Sequence, residues 1–293
     1  MARIPTFQVK LVLTLMNEGC KKVAVLVAVY KNDDPIHLRL ALESVTEGQS
    51  SKPSFLLIVL DGPVAENIED ALISQRDLST VPMHILRLPS NVGLSRALKA
   101  GADYLISDYE YVLRADADDV SRPNRISDQL SYMDSNLNVG VASSHVDIFD
   151  VDACSPLARR VLPLGVPLHR FALARTPINH SCSIFRSQSL RDASFPDTRL
   201  PFEDWWICLR LLSRGWDIGV VDAVHMDFRG GSEMLKRRHG LRYAIQEIKF
   251  FQEVYREKLM PAYRIILNLA TRIPVRVLPF SLSQLIYRIK LHS

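Results

Sequence analysis

LRADADDVSRPNR, residues 113–125, runs from an apolar stretch into three aspartates, Asp116, Asp118 and Asp119, with Arg114 just before them and Pro123 just after. Like charges this close repel, so the stretch is either a solvated turn or a place that holds something positive. The residues upstream decide between the two. VAVLVAV, residues 23–29, is a continuous Val-rich run with the length of a strand buried on both faces. In PIHLRLALESVTEG, residues 35–48, Leu38, Leu40, Leu42 and Val45 recur near helical spacing, and Gly48 stops the pattern. FLLIVL, residues 55–60, is a second buried run, ended by Asp61, Gly62 and Pro63. A helix over ENIEDALISQR, a strand over MHILRLP, a helix over GLSRALKAGADYL and a fourth strand over YEYVLRADADD follow.

This alternation predicts an α/β fold, a Rossmann-like mostly parallel sheet with helices on both faces. Ligands of such sheets bind beyond the carboxyl ends of the strands. Here those ends carry Tyr30, Asp61, Asn91 and Asp116 to Asp119. An acidic turn at that edge reads as a cation site, and its hard oxygens suit Mn²⁺ or Mg²⁺. The chain has no GxGxxG and no GxxxxGK[ST], so phosphates bound here would be neutralised by a metal instead of a glycine-rich loop.

Composition narrows the class. The 293 residues are 47% hydrophobic and 23% charged, as in ordinary globular proteins. A net charge of +4 is too mild to imply nucleic-acid binding. Cys20, Cys154, Cys182 and Cys208 show no CxxC spacing, which points to reduced thiols and a cytoplasmic setting. The apolar run Leu11 to Met16 is too short for a signal peptide, and Val277 to Tyr287 is about half of what a bilayer requires.

The ordered series VAVYKNDDPIHLRLALESV, VLDGP, NVGLSRAL, LRADADDVSRPNR, NHSCSIFR, EDWWICLRLLSRGW and MLKRRHG resembles the inverting family 2 glycosyltransferases of GT-A fold. Within them it is similar to the bacterial enzymes of exopolysaccharide and lipopolysaccharide synthesis, the amylovoran type. The resemblance implies an N-terminal extension over 1–22 and a GT-A domain over 23–240. Residues 23–120 of that domain would form a nucleotide-binding half and 121–240 an acceptor half. It implies transfer of a sugar from a nucleotide-diphospho-sugar, a UDP-sugar first, to a glycan or polyprenyl-linked acceptor, with Mn²⁺ or Mg²⁺. Tyr30 would line the base, Asp61 the base or ribose, and Asn91 the nucleotide loop. Asp116 and Asp118 match the metal-binding pair, with Asp118 the direct ligand. Asp204 matches the catalytic base, and Glu203 positions the loop or acceptor. The chain departs from the family pattern at Leu60, where many relatives carry an acid, and at Gly231, where many carry a histidine.

Other residues stand between a bland and a functional reading. His180 is a structural histidine or an acceptor contact. Trp205 is the member of the Trp pair expected to stack on an acceptor sugar. Lys236 and Arg237, in KRRHG, are a solvated face or a diphosphate clamp. Residues 241–293 are expected to be a helical C-terminal segment. From Ala262 to Ser293 it holds five basic residues and no acid, among many aliphatics. Pro274 and Pro279 should split this tail into two short helices. The tail either docks on the domain or lies on an anionic membrane, and the membrane reading is preferred because a polyprenyl-linked acceptor would be there. The protein is then expected on the inner face of the cytoplasmic membrane. Two rivals remain at this point. DADDV also fits an aspartate-nucleophile phosphatase, and the same scaffold could be a sugar-binding protein without catalysis.

Overall fold

The structure is a computed structural model that describes residues 22–149, 156–230 and 238–278. In chain order its strands are β1 (Val23–Val29), β2 (Phe55–Leu60), β3 (Met83–Arg87), β4 (Tyr111–Ala115), β5 (Val120–Ser121), β6 (Val139–Phe149), β7 (Ala158–Arg160), β8 (Ser183–Arg186) and β9 (Asp217–Arg229). The helices are α1 (Pro35–Val45), α2 (Glu66–Leu78), α3 (Leu94–Leu105), α4 (Arg125–Ser135), α5 (Leu168–Ala172), α6 (Ser187–Ala193), α7 (Glu203–Ser213), α8 (Leu241–Arg256) and α9 (Ala262–Val277). All strands join one sheet in the order β3-β2-β1-β4-β8-β6-β9-β5, with β7 on β6. The first four run parallel, as the sequence rhythm predicts. Beyond β4 the sheet turns mixed: β8 lies antiparallel between β4 and β6, and β9 runs parallel to β6.

The period-2 alternation of β1 sorts its side chains onto two cores. Val23, Val25, Val27 and Val29 pack with Leu38, Leu42 and Leu72 of α1 and α2. Ala24 and Leu26 pack with Leu98 and Leu105 of α3 on the other face. Every residue of β2 is buried, which is why that strand has no polar alternation. Asp34 starts α1: its Oδ1 accepts from the Ile36 and His37 amides at 2.8 and 3.1 Å, and Pro35 fills the first helical position. These helices fix where each strand ends, and so where the loops of the carboxyl edge begin.

A third core joins α7 to the two C-terminal helices through Trp205, Trp206, Phe250, Phe251 and Ile265. It corrects two expectations. Trp205 is only 2% exposed, its Nε1 donates to the Ala172 carbonyl at 2.7 Å, and its ring packs against Phe250, Phe251 and the Arg272 guanidinium. No face is left for a sugar, because the tryptophan anchors α7 to the helices that cover it. Nor does Pro274 divide the tail. It sits exposed in the last turn of α9, which continues to Val277. A proline that near a helix end forfeits little of the hydrogen-bond ladder. Pro279 and the rest of the tail lie outside the described residues, as do residues 1–21 and both Lys236 and Arg237.

The tail's two readings fall on opposite faces of α9. Its inner face docks: the fully buried Glu247 of α8 accepts from Arg276 Nε at 2.8 Å and from Arg272 Nε. Its outer face leaves Tyr263, Ile266, Leu267 and Val277 exposed by half or more. Among the described residues no helix is long and apolar enough to cross a membrane.

Candidate active site

The acid loop continues the alternation of β4. Ala117 and Asp119 point inward, while Asp116 is half-buried and Asp118 exposed. Their carboxylate oxygens come within 4.8 Å of one another. Each acid is held differently. Asp116 takes both ends of the buried Arg114 fork, at 2.9 and 2.5 Å. Asp119 accepts from the Arg229 amide at 2.9 Å, which ties the loop to the end of β9. Its other oxygen, Oδ2, is buried with no hydrogen-bond partner. Behind the loop lies Arg125, wholly buried, donating to the carbonyls of Arg114 and Ser181 at 2.6 and 2.9 Å and to Ser121 Oγ at 2.9 Å.

Burial, and then Asp116 and Asp118, push the carboxyl of Asp119 well above the usual range; Asp118, though exposed at its surface, is also raised, by partial desolvation against the crowded loop and then by Asp116. The same edge brings in Asp33, which residue patterns left unassigned. Burial raises it to about 7 against the opposing hydrogen bond from the Tyr30 amide, with the charges of Asp118 and Asp116 adding to the rise. Its only signal in the sequence is position, in KNDDP at the carboxyl end of β1. A cluster of reluctant carboxylates with an orphaned buried oxygen fits a hard divalent cation, which would replace the protons that this burial favours. The phosphatase reading fits less well, because its nucleophilic aspartate usually follows the first strand of the domain, and Asp116 follows the fourth.

Asp61 and Asn91 meet at the neighbouring strand end. Asp61 is buried, and its carboxylate accepts from the Val92 and Gly93 amides at 2.6 and 3.0 Å and from Asn91 Nδ2 at 2.9 Å. Gly62 makes room for this loop: its φ is +90°, and a Cβ there would stand 2.6 Å from the Asn91 amide nitrogen. Asp61 therefore holds the loop after β3, and Tyr30 stands partly exposed beside them at the end of β1.

Glu203 and Asp204 open α7 but face different neighbours. Glu203 lies 3.4 Å from Nδ1 of the buried His180, whose ring is wedged against Phe185 and Phe195. Burial acts most strongly on Glu203 and would raise its carboxyl, but His180 and the Arg114 charge outweigh it and hold it below the usual range. Arg114, paired with Asp116, thus also acts electrostatically on Glu203. Asp204 Oδ1 accepts from the Trp205 amide at 2.7 Å, and Asp204 is the first charge felt by the buried guanidinium of Arg160. The residue before them, Phe202, has φ +90° and ψ +19°, the left-handed region. Such a conformation costs a non-glycine residue on the order of 1 kcal/mol or more, and it concentrates at functional sites. The rings of Tyr243 and Phe250, 5.3 and 5.0 Å from that of Phe202, hold it there.

Comparison with known proteins agrees with this geometry. The sequence profile described as Glycosyl transferase family 2 matches residues 24–194. The amylovoran biosynthesis glycosyltransferase AmsE of Erwinia amylovora is 31% identical over 90% of this chain and 97% of its own length. The UDP-Gal:alpha-D-GlcNAc-diphosphoundecaprenol beta-1,3-galactosyltransferase of Escherichia coli is 30% identical over 93% of this chain and 98% of its own. Among solved structures, the mannosyltransferase PcManGT from Pyrobaculum calidifontis, in complex with GDP-Man and Mn²⁺, superposes with a TM-score of 0.64 at 13% identity, covering 94% of this chain and 81% of that one. TarS of S. aureus superposes with a TM-score of 0.61 at 17% identity, covering 86% of this chain and 43% of that one. At such identities these two structures establish the GT-A-like fold alone.

Proposed function

We propose that this chain, which belongs to glycosyl transferase family 2, moves one sugar from a nucleotide-diphospho-sugar to a hydroxyl of a bacterial surface glycan under construction. The observation that carries the reading is the acid loop at the carboxyl edge of the parallel sheet, with an unpartnered buried oxygen on Asp119 and with Asp118 facing out. Asp118 and Asp116 would hold Mn²⁺ or Mg²⁺, with Asp119 and Asp33 adjoining. Held by these carboxylates, the cation would supply the positive charge that a leaving diphosphate needs. Tyr30 flanks the base, and Asp61 serves the nucleotide by fixing the loop of Asn91. Asp204 takes the proton from the attacking hydroxyl, and attack opposite the leaving group inverts the anomeric carbon. Glu203, steadied by His180, sets the start of α7. Lys236 and Arg237 would meet the diphosphate from the segment after β9.

The donor is a UDP-sugar and the acceptor a glycan, in the first place one carried on a polyprenyl diphosphate, as the name of the Escherichia coli relative suggests. Such an acceptor is in the membrane, so the enzyme works in the cytoplasm, peripherally on the inner leaflet. The exposed apolar face of α9 and the acid-free sequence from Ala262 to Ser293 support that placement.

A screen of nucleotide-sugars for thermal stabilisation in the presence of Mn²⁺ tests the donor half, since a ligand of the native state raises stability by mass action. One UDP-sugar should stand out, and transfer from it should require the metal. If none stabilises and none is consumed, the donor assignment fails. For the membrane half, Ile266→Asp with Leu267→Asp should release the folded protein from anionic vesicles, and unchanged sedimentation would place the contact elsewhere.

A further inference from the structure

The two arginines on the inner face of α9 do more than pair with Glu247. Arg276 is buried and held at several points. Its Nε donates to Glu247 at 2.8 Å and its Nη1 to the Arg238 carbonyl at 3.0 Å. Its own carbonyl accepts from the Gly240 amide at 2.9 Å, and its guanidinium carbon lies 4.7 Å from the centre of the Tyr243 ring. Tyr243 in turn packs edge-on against Phe202, the left-handed residue that directly precedes Glu203 and Asp204. Arg272, paired with the same Glu247, covers the ring of Trp205 at 5.0 Å, on the other side of that start of α7. Two cations from one helix therefore bear on both sides of the acidic pair, Arg272 directly on Trp205 and Arg276 on Phe202 through Tyr243. Both are held in place by one buried carboxylate.

We infer that Arg276 is a positioning residue for transfer: through Tyr243 and Phe202 it sets the direction in which Asp204 leaves the sheet edge and enters α7. The inference rests on Asp204 being the base. The physical need is plain. A left-handed phenylalanine relaxes unless its ring is confined, and relaxation at Phe202 would swing the next two side chains. Misplacing a catalytic group by an ångström costs on the order of a hundredfold in rate. The C-terminal helix is then part of the catalytic unit, although its sequence reads as an appendage.

Two variants of the full chain test this. Arg276→Met keeps the length of the side chain and leaves Arg272 on Glu247. Tyr243→Leu leaves the ion pairs of Glu247 intact and removes one of the two rings that hold Phe202, the one beneath Arg276. Each should lower kcat for transfer by on the order of tenfold to a hundredfold. Mn²⁺ and UDP-sugar affinity, read by calorimetry, should hold. The decisive readout is a double-mutant cycle. If Arg276 acts through Asp204, then Arg276→Met should cost little further in an Asp204→Asn background. Full additivity of the two losses would overturn the inference, as would normal kcat in a folded Tyr243→Leu. Normal transfer by Asp204→Asn alone would instead withdraw the base assignment, a distinct outcome. If Arg276→Met fails to fold, the Tyr243→Leu cycle with Asp204→Asn decides by the same rule.

Discussion

The two sides of this site, which we propose as its donor and acceptor sides, are built in opposite ways. On the donor side, each functional residue follows directly from its strand: Tyr30 ends β1, Asp61 ends β2, and the acid loop ends β4. Neighbours in space there are separated by regular βα units. On the acceptor side, the start of α7 is held by residues from α5, α8 and α9, through Ala172, Tyr243, Phe250, Arg272 and Arg276. The donor side is charged, and its carboxylates crowd one another. The acceptor side is aromatic, and its buried carboxylate, Glu247, is paired with Arg272 and Arg276. The difference teaches that a ligand edge can be specified by topology alone, while the placement of Asp204, the proposed base, needs a scaffold brought from elsewhere in the chain.

The sharpest way to break this comparison is to remove one charge from each side. Asp118→Asn should weaken Mn²⁺ and donor binding together and depress transfer by on the order of a thousandfold, because the departing diphosphate loses its counter-charge. Calorimetry with and without EDTA reads the binding. Equal donor affinity in both proteins would sink the metal assignment. Asp204→Asn should leave both affinities in place while transfer falls by about a hundredfold to ten-thousandfold, the contribution of a general base. If Asp204→Asn also loses the donor, the two sides are not separable as drawn here.

Legibility in the sequence divides along the same line. The parallel half was readable because buried strands declare themselves as unbroken apolar runs, and β1 and β2 are such runs. The edge residues followed from topology. Asp33 escaped because an acid next to a helix cap looks like part of the cap, and Asp34 beside it is one. Trp205 misled because a tryptophan next to an acid looks equally like a sugar platform or a core anchor, and only the position of Phe250 and Phe251 tells which. The docking of α9 was hidden for a similar reason. Arg272 and Arg276 read as a cationic surface until their partner, Glu247, is seen across the helix pair.

That partner offers a test on stability. Glu247 is fully buried and shared by two arginines, one of them buried with it. Glu247→Gln would strand both cations, and breaking a buried pair from one side costs about 3–5 kcal/mol. Chemical denaturation should show a loss of that order. The exposed Arg87–Glu69 pair, with its arginine half in solvent, is the control, and Glu69→Gln should cost less than about 1 kcal/mol. A loss at Glu247 no larger than at Glu69 would mean that α9 is a loosely held tail and not part of the catalytic unit.

The smallest expected effect concerns pH, and it returns to the donor side. Asp33 is raised to about 7 from an ordinary value of 3.8, and Asp118 and Asp119 are also raised. Between those limits the unfolded chain has released protons that the folded chain keeps. At these groups the unfolded state then binds fewer protons, so they make the stability of the metal-free protein fall as pH rises from about 4 to 7, against an opposing slope from His84 and His225, which burial lowers. A bound cation reverses the trend, because it favours the ionised carboxylates. Thermal unfolding with and without Mn²⁺ should therefore show a stabilisation by the metal that grows with pH through this range and levels off above it. Asp33→Asn should flatten the metal-free slope by removing a group raised to about 7. A stabilisation by Mn²⁺ that does not change between pH 5 and pH 8 would show that the metal binds away from these carboxylates, and the contrast between a crowded acidic edge and a paired aromatic one would lose its chemical meaning.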